Sequence, residues 1–123
     1  MGTESYEIPG IMWTIPDVAS SLATSQWCVI KADGALADSQ GVGGIGILQN
    51  KPTAGQNALV MVSGISKAKA GAAVTAGDYV TNSATTGALE PAASADVIVG
   101  IALTGADTAG DLFSLLIVQS GIL

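Results

Sequence analysis

The stretch Val97-Ile-Val-Gly-Ile-Ala-Leu-Thr104-Gly-Ala-Asp-Thr-Ala-Gly-Asp111-Leu-Phe-Ser-Leu-Leu-Ile-Val118 decides the fold. It holds two aliphatic runs, 97–104 and 112–118, separated by a loop bounded by Gly105 and Gly110. Each run is short and rich in Val, Ile and Leu, so each reads as a strand. In the first run Val97, Val99, Ile101 and Leu103 share one face, while Ile98, Gly100 and Ala102 on the other are mostly small. The large face is expected to fill a core, and the small face to let something approach closely. In the second run both faces are apolar: Leu112, Leu116 and Val118 on one, Phe113, Leu115 and Ile117 on the other. Such a strand in so small a chain points to a subunit contact, or to a sandwich-centre strand lying under the N-terminal segment.

Upstream the same alternation of strand and turn continues. Trp27-Cys-Val-Ile-Lys31, Ile45-Gly-Ile-Leu48, Ala58-Leu-Val-Met-Val62 (continuing through Ile65 and Lys67), Tyr79-Val80 and Ala88-Leu-Glu90 read as strands. Asp33-Gly34, Asn50-Lys-Pro52-Thr-Ala-Gly55, Ala76-Gly77-Asp78 and Asn82-Ser-Ala-Thr-Thr-Gly87 read as turns. In Ala76-Gly77-Asp78, and again in Ala109-Gly110-Asp111, the glycine is expected at positive φ and the aspartate to accept nearby backbone N–H groups. No long segment has helical periodicity. The expected fold is all-β, a small antiparallel barrel or sandwich, over residues 27–123.

Residues 1–26 read as an extended N-terminal arm. Tyr6, Ile8, Ile11, Trp13 and Ile15 are interspersed with Pro9, Gly10 and Pro16, which disfavour a helix. Residues 11–15 alternate like a strand, and Asp17 is placed to cap one helical turn.

The composition narrows the function. The chain has 123 residues, 16 of them Gly, a net charge of −6, and only 11% charged residues, where about 25% is usual. It has no His and no Arg, so it offers no imidazole base and no histidine metal site. Its one cysteine, Cys28, makes neither an internal disulfide nor a thiolate cluster and reads as buried and inert. Asp33 and Asp38 miss the spacing of a calcium loop and read as turn acids. Gly41-Val-Gly43-Gly44-Ile-Gly46 lacks the spacing of a phosphate loop. Lys67-Ala-Lys69 lacks the flanks of a lipoyl or biotinyl lysine and reads as a blunted strand edge. No catalytic, metal or cofactor residue is expected, and neither nucleic acid nor membrane is an expected partner. A chain so poor in charge is expected to bury part of its surface against other protein.

From Gly55 to Val118 the order Val60-Met-Val-Ser-Gly64-Ile, Val74-Thr-Ala-Gly77-Asp-Tyr-Val80, Thr86-Gly-Ala-Leu89, Val99-Gly-Ile-Ala-Leu103 and Ala109-Gly-Asp-Leu112 resembles the small capsid decoration, or cement, proteins of tailed bacteriophages. The resemblance covers about half the chain and rests on turns and strand packing. It implies a homotrimer on the outer surface of a capsid, binding the major capsid protein and stabilising the coat lattice. In that setting Tyr6, Ile8, Ile11, Trp13 and Ile15 are the expected coat anchors. Val99, Ile101, Leu103, Phe113, Leu115 and Ile117 are the expected core or trimer residues. Deleting residues 1–16 is expected to leave a folded trimer that no longer decorates shells. The alternatives are another virion docking module, such as a head-fibre base, and a small non-catalytic carrier or ligand-binding barrel. A fibre base would be expected to continue into a longer chain beyond Leu123.

Overall fold

The computed structural model describes residues 8–119 and 121–123. Strands fall at Ile8–Pro9 (β1), Met12–Ile15 (β2), Val29–Ile30 (β3), Gly46–Leu48 (β4), Ala58–Met61 (β5), Gly64–Lys69 (β6), Tyr79–Asn82 (β7), Leu89–Pro91 (β8), Gly100–Ala102 (β9) and Leu112–Ile117 (β10). They form two antiparallel sheets, one of six strands ordered β1-β6-β10-β9-β7-β8 and one of four ordered β2-β5-β4-β3. The sheets do not close into a barrel; of the two expected architectures, the sandwich is the one formed. Among the described residues no helix is long and apolar enough to cross a membrane.

Strand alternation builds two cores. Val29, Ile47 and Met61 of the four-stranded sheet meet Ala68, Val80, Leu89, Phe113, Leu115 and Ile117 of the six-stranded sheet. Their neighbours Ile30, Leu48 and Val60 point the other way, where Ile15, Val18 and Leu22 cover them. The smaller sheet is therefore apolar on both faces, and the segment after β2 is its second cover. Strand β10 is not covered in this way. Phe113, Leu115 and Ile117 face the core, while Leu112 and Leu116 stay half-buried on the outward face.

Two expectations are corrected. In the run 97–103 the large residues do not form one core face: Leu103 is 43% exposed, and Ile101 is half-buried, while Ala102 is in the core. Register explains this, since Ile101 pairs with outward-facing Leu116 and Ala102 with inward-facing Leu115. Leu115 and Phe113 fill the interior there, so a small residue fits beneath them. The helical turn after Asp17 does not form. Asp17 has φ 55°, and the Val18 and Leu22 amides donate to the Gln56 and Pro52 carbonyls instead. The segment is held by the 52–56 loop, because docking apolar Val18 and Leu22 outweighs a single isolated turn.

The Ala-Gly-Asp device is present at both places. Gly77 and Gly110 have φ 95° and 93°, and the Asp78 and Asp111 carboxylates accept the Thr75 and Thr108 N–H groups. A further copy lies at Ala93-Ser-Ala-Asp96, where Asp96 accepts the Ala93 N–H but Ala95 sits at φ 76° in glycine's place. An L residue with a Cβ is strained there. Ala95→Gly is therefore expected to stabilise by about 0.5–1 kcal/mol, and Gly77→Ala to destabilise by about 1 kcal/mol, both read from urea midpoints. Equal midpoints for Ala95→Gly and the parent chain would refute the strain.

Candidate docking surface

Segment 8–15 forms the outer edge of both sheets. Ile8 and Pro9 pair with Ile65 and Gly64, and Met12 to Ile15 pair with Met61 back to Ala58. Between them the Ile11 N–H donates to the Ser63 carbonyl, and the Val62 N–H donates to the Ile11 carbonyl. Thus one ribbon, 8–15 against 58–65, bends from one sheet into the other. The bend needs two glycines. A Cβ on Gly10 would fall on the Ser63 carbonyl oxygen, and Gly64 sits at φ 116°.

Along this edge Ile8 is 60% exposed, Ile11 63%, Trp13 59% and Met12 36%. The stretch Ile8-Pro-Gly-Ile-Met-Trp-Thr-Ile15 carries no charge. Proteins that stand alone usually protect an edge strand with lysines, bulges or a covering loop. This edge has two prolines at its ends and no charged side chain between them.

Of the expected anchors, Ile8, Ile11 and Trp13 are on this edge. Ile15 is corrected: it shares a face of β2 with Trp13, but Val18 and Leu22 fold over Ile15, which at 7% exposed belongs to the second core, and leave Trp13 uncovered. Tyr6 lies outside the described residues. Val99, Phe113, Leu115 and Ile117 are core residues, while Ile101 and Leu103 are on the outward face of the six-stranded sheet.

The remaining candidates have structural work. Lys67 Nζ lies 5.6 Å from the centre of the Trp27 ring, and the Lys69 N–H donates to the Trp27 carbonyl, so Trp27 shields the free part of the β6 edge. Burial pushes the Cys28 thiol up in pKa, and Lys69 offsets this only in part, so the reactive thiolate is disfavoured. Asp33 accepts the Ala35 N–H within its turn. Gly41 and Gly43, at φ 72° and 73°, are tied to Asn82, which has no counterpart among the residues singled out from the sequence. A lone polar residue ending a β-rich run was the only signal for it. Among the described residues no cluster of His, Cys, Asp or Glu could hold a metal ion.

The described residues thus form two antiparallel sheets bordered by an apolar edge without charged side chains. The chain belongs to the phage cement protein family, whose model matches residues 12–118. Among solved structures it is similar to the head fiber gp8.5 N base of bacteriophage phi29, with a TM-score of 0.69 and 16% sequence identity. That likeness covers 92% of this chain and 98% of the other, and at this identity it is a likeness of fold. No curated protein matches the sequence. The protein is a structural component associated with a phage capsid.

Proposed function

We propose that this protein decorates the outer surface of a phage capsid as a homotrimer, binding the major capsid protein and stabilising the coat lattice without catalysis. The observation that carries the reading is the uncharged edge with Ile11 and Trp13 exposed. Docking buries these side chains at roughly 25 cal/mol per Å² of apolar area, less the cost of ordering. The unpaired backbone groups of the outermost strand add directional hydrogen bonds. Many copies on one particle turn a modest affinity into a stable coat. A net charge of −6 opposes direct contact with packaged nucleic acid.

The test is binding to empty shells by Ile11→Ser and Trp13→Ser. Both positions are exposed, so melting should stay within a few degrees of the parent chain. Losing a central aromatic anchor is expected to cost about 2 kcal/mol, roughly a thirtyfold drop in affinity. Parental occupancy by both variants would refute the edge as the coat contact.

The structural likeness favours a second reading, in which the same body is the base of a head fibre. The intact mass of the virion protein separates the two. A mass of 12.1 kDa supports decoration, and a larger chain carrying this sequence supports a fibre base.

A further inference from the structure

We infer that the outward face of the six-stranded sheet is the contact between copies of this chain, an inference that rests on the homotrimer proposed above. The face carries an apolar row in direct register: Ile8 beside Ile65, Ile65 beside Leu116, Leu116 beside Ile101, and Ile101 beside Tyr79. Five adjacent strands make the row about 19 Å long. Ile8 is 60% exposed and Tyr79 46%, and the three residues between them are half-buried. Leu103, at 43% exposed, and half-buried Leu112 widen the patch along the strands. The apolar area is on the order of 300 Å², at the level where a patch on a soluble domain usually has a partner. The outer face of the other sheet is covered by Ile15, Val18 and Leu22, whereas on this face Ile8, Tyr79 and Leu103 remain exposed.

Charge identifies the occupant. Lys67 and Lys69 stand on this face on β6, paired with Ser114 and Leu112, near one side of the sheet. Glu90, on β8, stands on it at the opposite side, paired with Thr81 of β7. A face positive at one side and negative at the other is complementary to a second copy of itself. Three copies turned about an axis along the strands bring the lysine side of each against the Glu90 side of the next. The apolar rows then face the axis. Such a contact joins unlike patches and closes as a ring. The edge strand's outermost side, turned away from the sheet face, stays available for coat protein.

The test is the mass in solution, by light scattering at low micromolar concentration, for the parent chain and four variants. The parent is expected at three times 12.1 kDa. Leu116→Asp and Ile101→Asp are expected at the single-chain mass with a parental circular-dichroism spectrum, and with melting lowered by the loss of association. Lys67→Glu and Glu90→Lys are each expected to weaken the trimer about tenfold, as like charges then meet. The double variant Lys67→Glu/Glu90→Lys is expected to recover parental mass, a result that misfolding cannot produce. Trimers unchanged in all variants would overturn this face and leave the trimer standing. A parent at the single-chain mass would overturn both.

Discussion

A chain lacking residues 1–16 is expected to melt far below the full chain and to self-associate. The truncation removes β2, and with it the pairing of Met12–Ile15 against Ala58–Met61. It also removes Ile15, a buried member of the second core. Loss of a buried isoleucine side chain costs about 2–5 kcal/mol by itself. Against a total stability of about 5–15 kcal/mol, that is a large share. Strand β5 becomes the edge, and its Leu59 is already 36% exposed. A fresh edge carrying Leu59, Val60 and Met61 invites pairing with another chain. This replaces the expectation of a freely removable arm. Circular dichroism melting and sedimentation would check it. A truncated chain that melts with the parent and stays at the parental mass would show that residues 8–15 are appended rather than built in. The contrast with Ile11→Ser and Trp13→Ser is the informative part. Those substitutions address binding, while the truncation addresses folding.

The strands and turns were legible because their signals are local. The runs 58–62 and 112–118 have strand-forming residues in unbroken order, and Gly77 and Gly110 occupy turns that only a residue without a Cβ enters cheaply. The faces were less legible. Ile101 and Leu103 look like core residues, yet their side is set by pairing with Leu116 and Ser114 across the sheet, which alternation within one strand does not fix. Ile15 shows the same limit. It differs from Trp13 only in what lies above it, and Val18 and Leu22 fold over one and not the other. The proposed docking edge was legible in composition, through the absence of charge from Ile8 to Ile15. That the edge is bonded into both sheets was not, because its partners lie about fifty residues away in β5 and β6. Of the two apolar faces expected in 112–118, Phe113, Leu115 and Ile117 are in the core, and Leu112 and Leu116 are half-buried on the other side, not under the N-terminal segment.

Asn82→Ala is expected to be among the most damaging single substitutions in this protein, although Asn82 touches neither proposed contact surface. Its side chain is fully buried at the end of β7. Nδ2 donates to the carbonyls of Ala37 at 2.9 Å and Ser39 at 2.7 Å, and Oδ1 accepts the Gly43 N–H at 2.7 Å. The Asn82 carbonyl accepts the Gly41 N–H at 3.0 Å, so both glycines held at positive φ depend on this residue. The 37–43 loop has little apolar surface of its own beyond Ala37 and exposed Val42, so hydrogen bonds must hold it. Alanine would leave the Ala37 carbonyl and the Gly43 N–H without these partners, and the Ser39 carbonyl with the Val42 N–H alone. Each costs about 1–3 kcal/mol when buried, and partial entry of water brings the expected total to about 3–4 kcal/mol. For a chain of this length that lowers the melting temperature by roughly 10–15 °C. Asn82→Asp sharpens the test. It keeps the acceptor for Gly43 but turns an oxygen toward the Ala37 and Ser39 carbonyls, so the folded state favours the protonated acid, which can still donate. The folded pKa of that acid then lies above its unfolded value of about 3.9. Its full stability is present below that value and is lost as pH rises above it. Asn82→Asp should therefore melt nearest to the parent in acid and fall away toward neutral pH. A flat difference from the parent across that range would show that the loop is held by something other than the Asn82 amide.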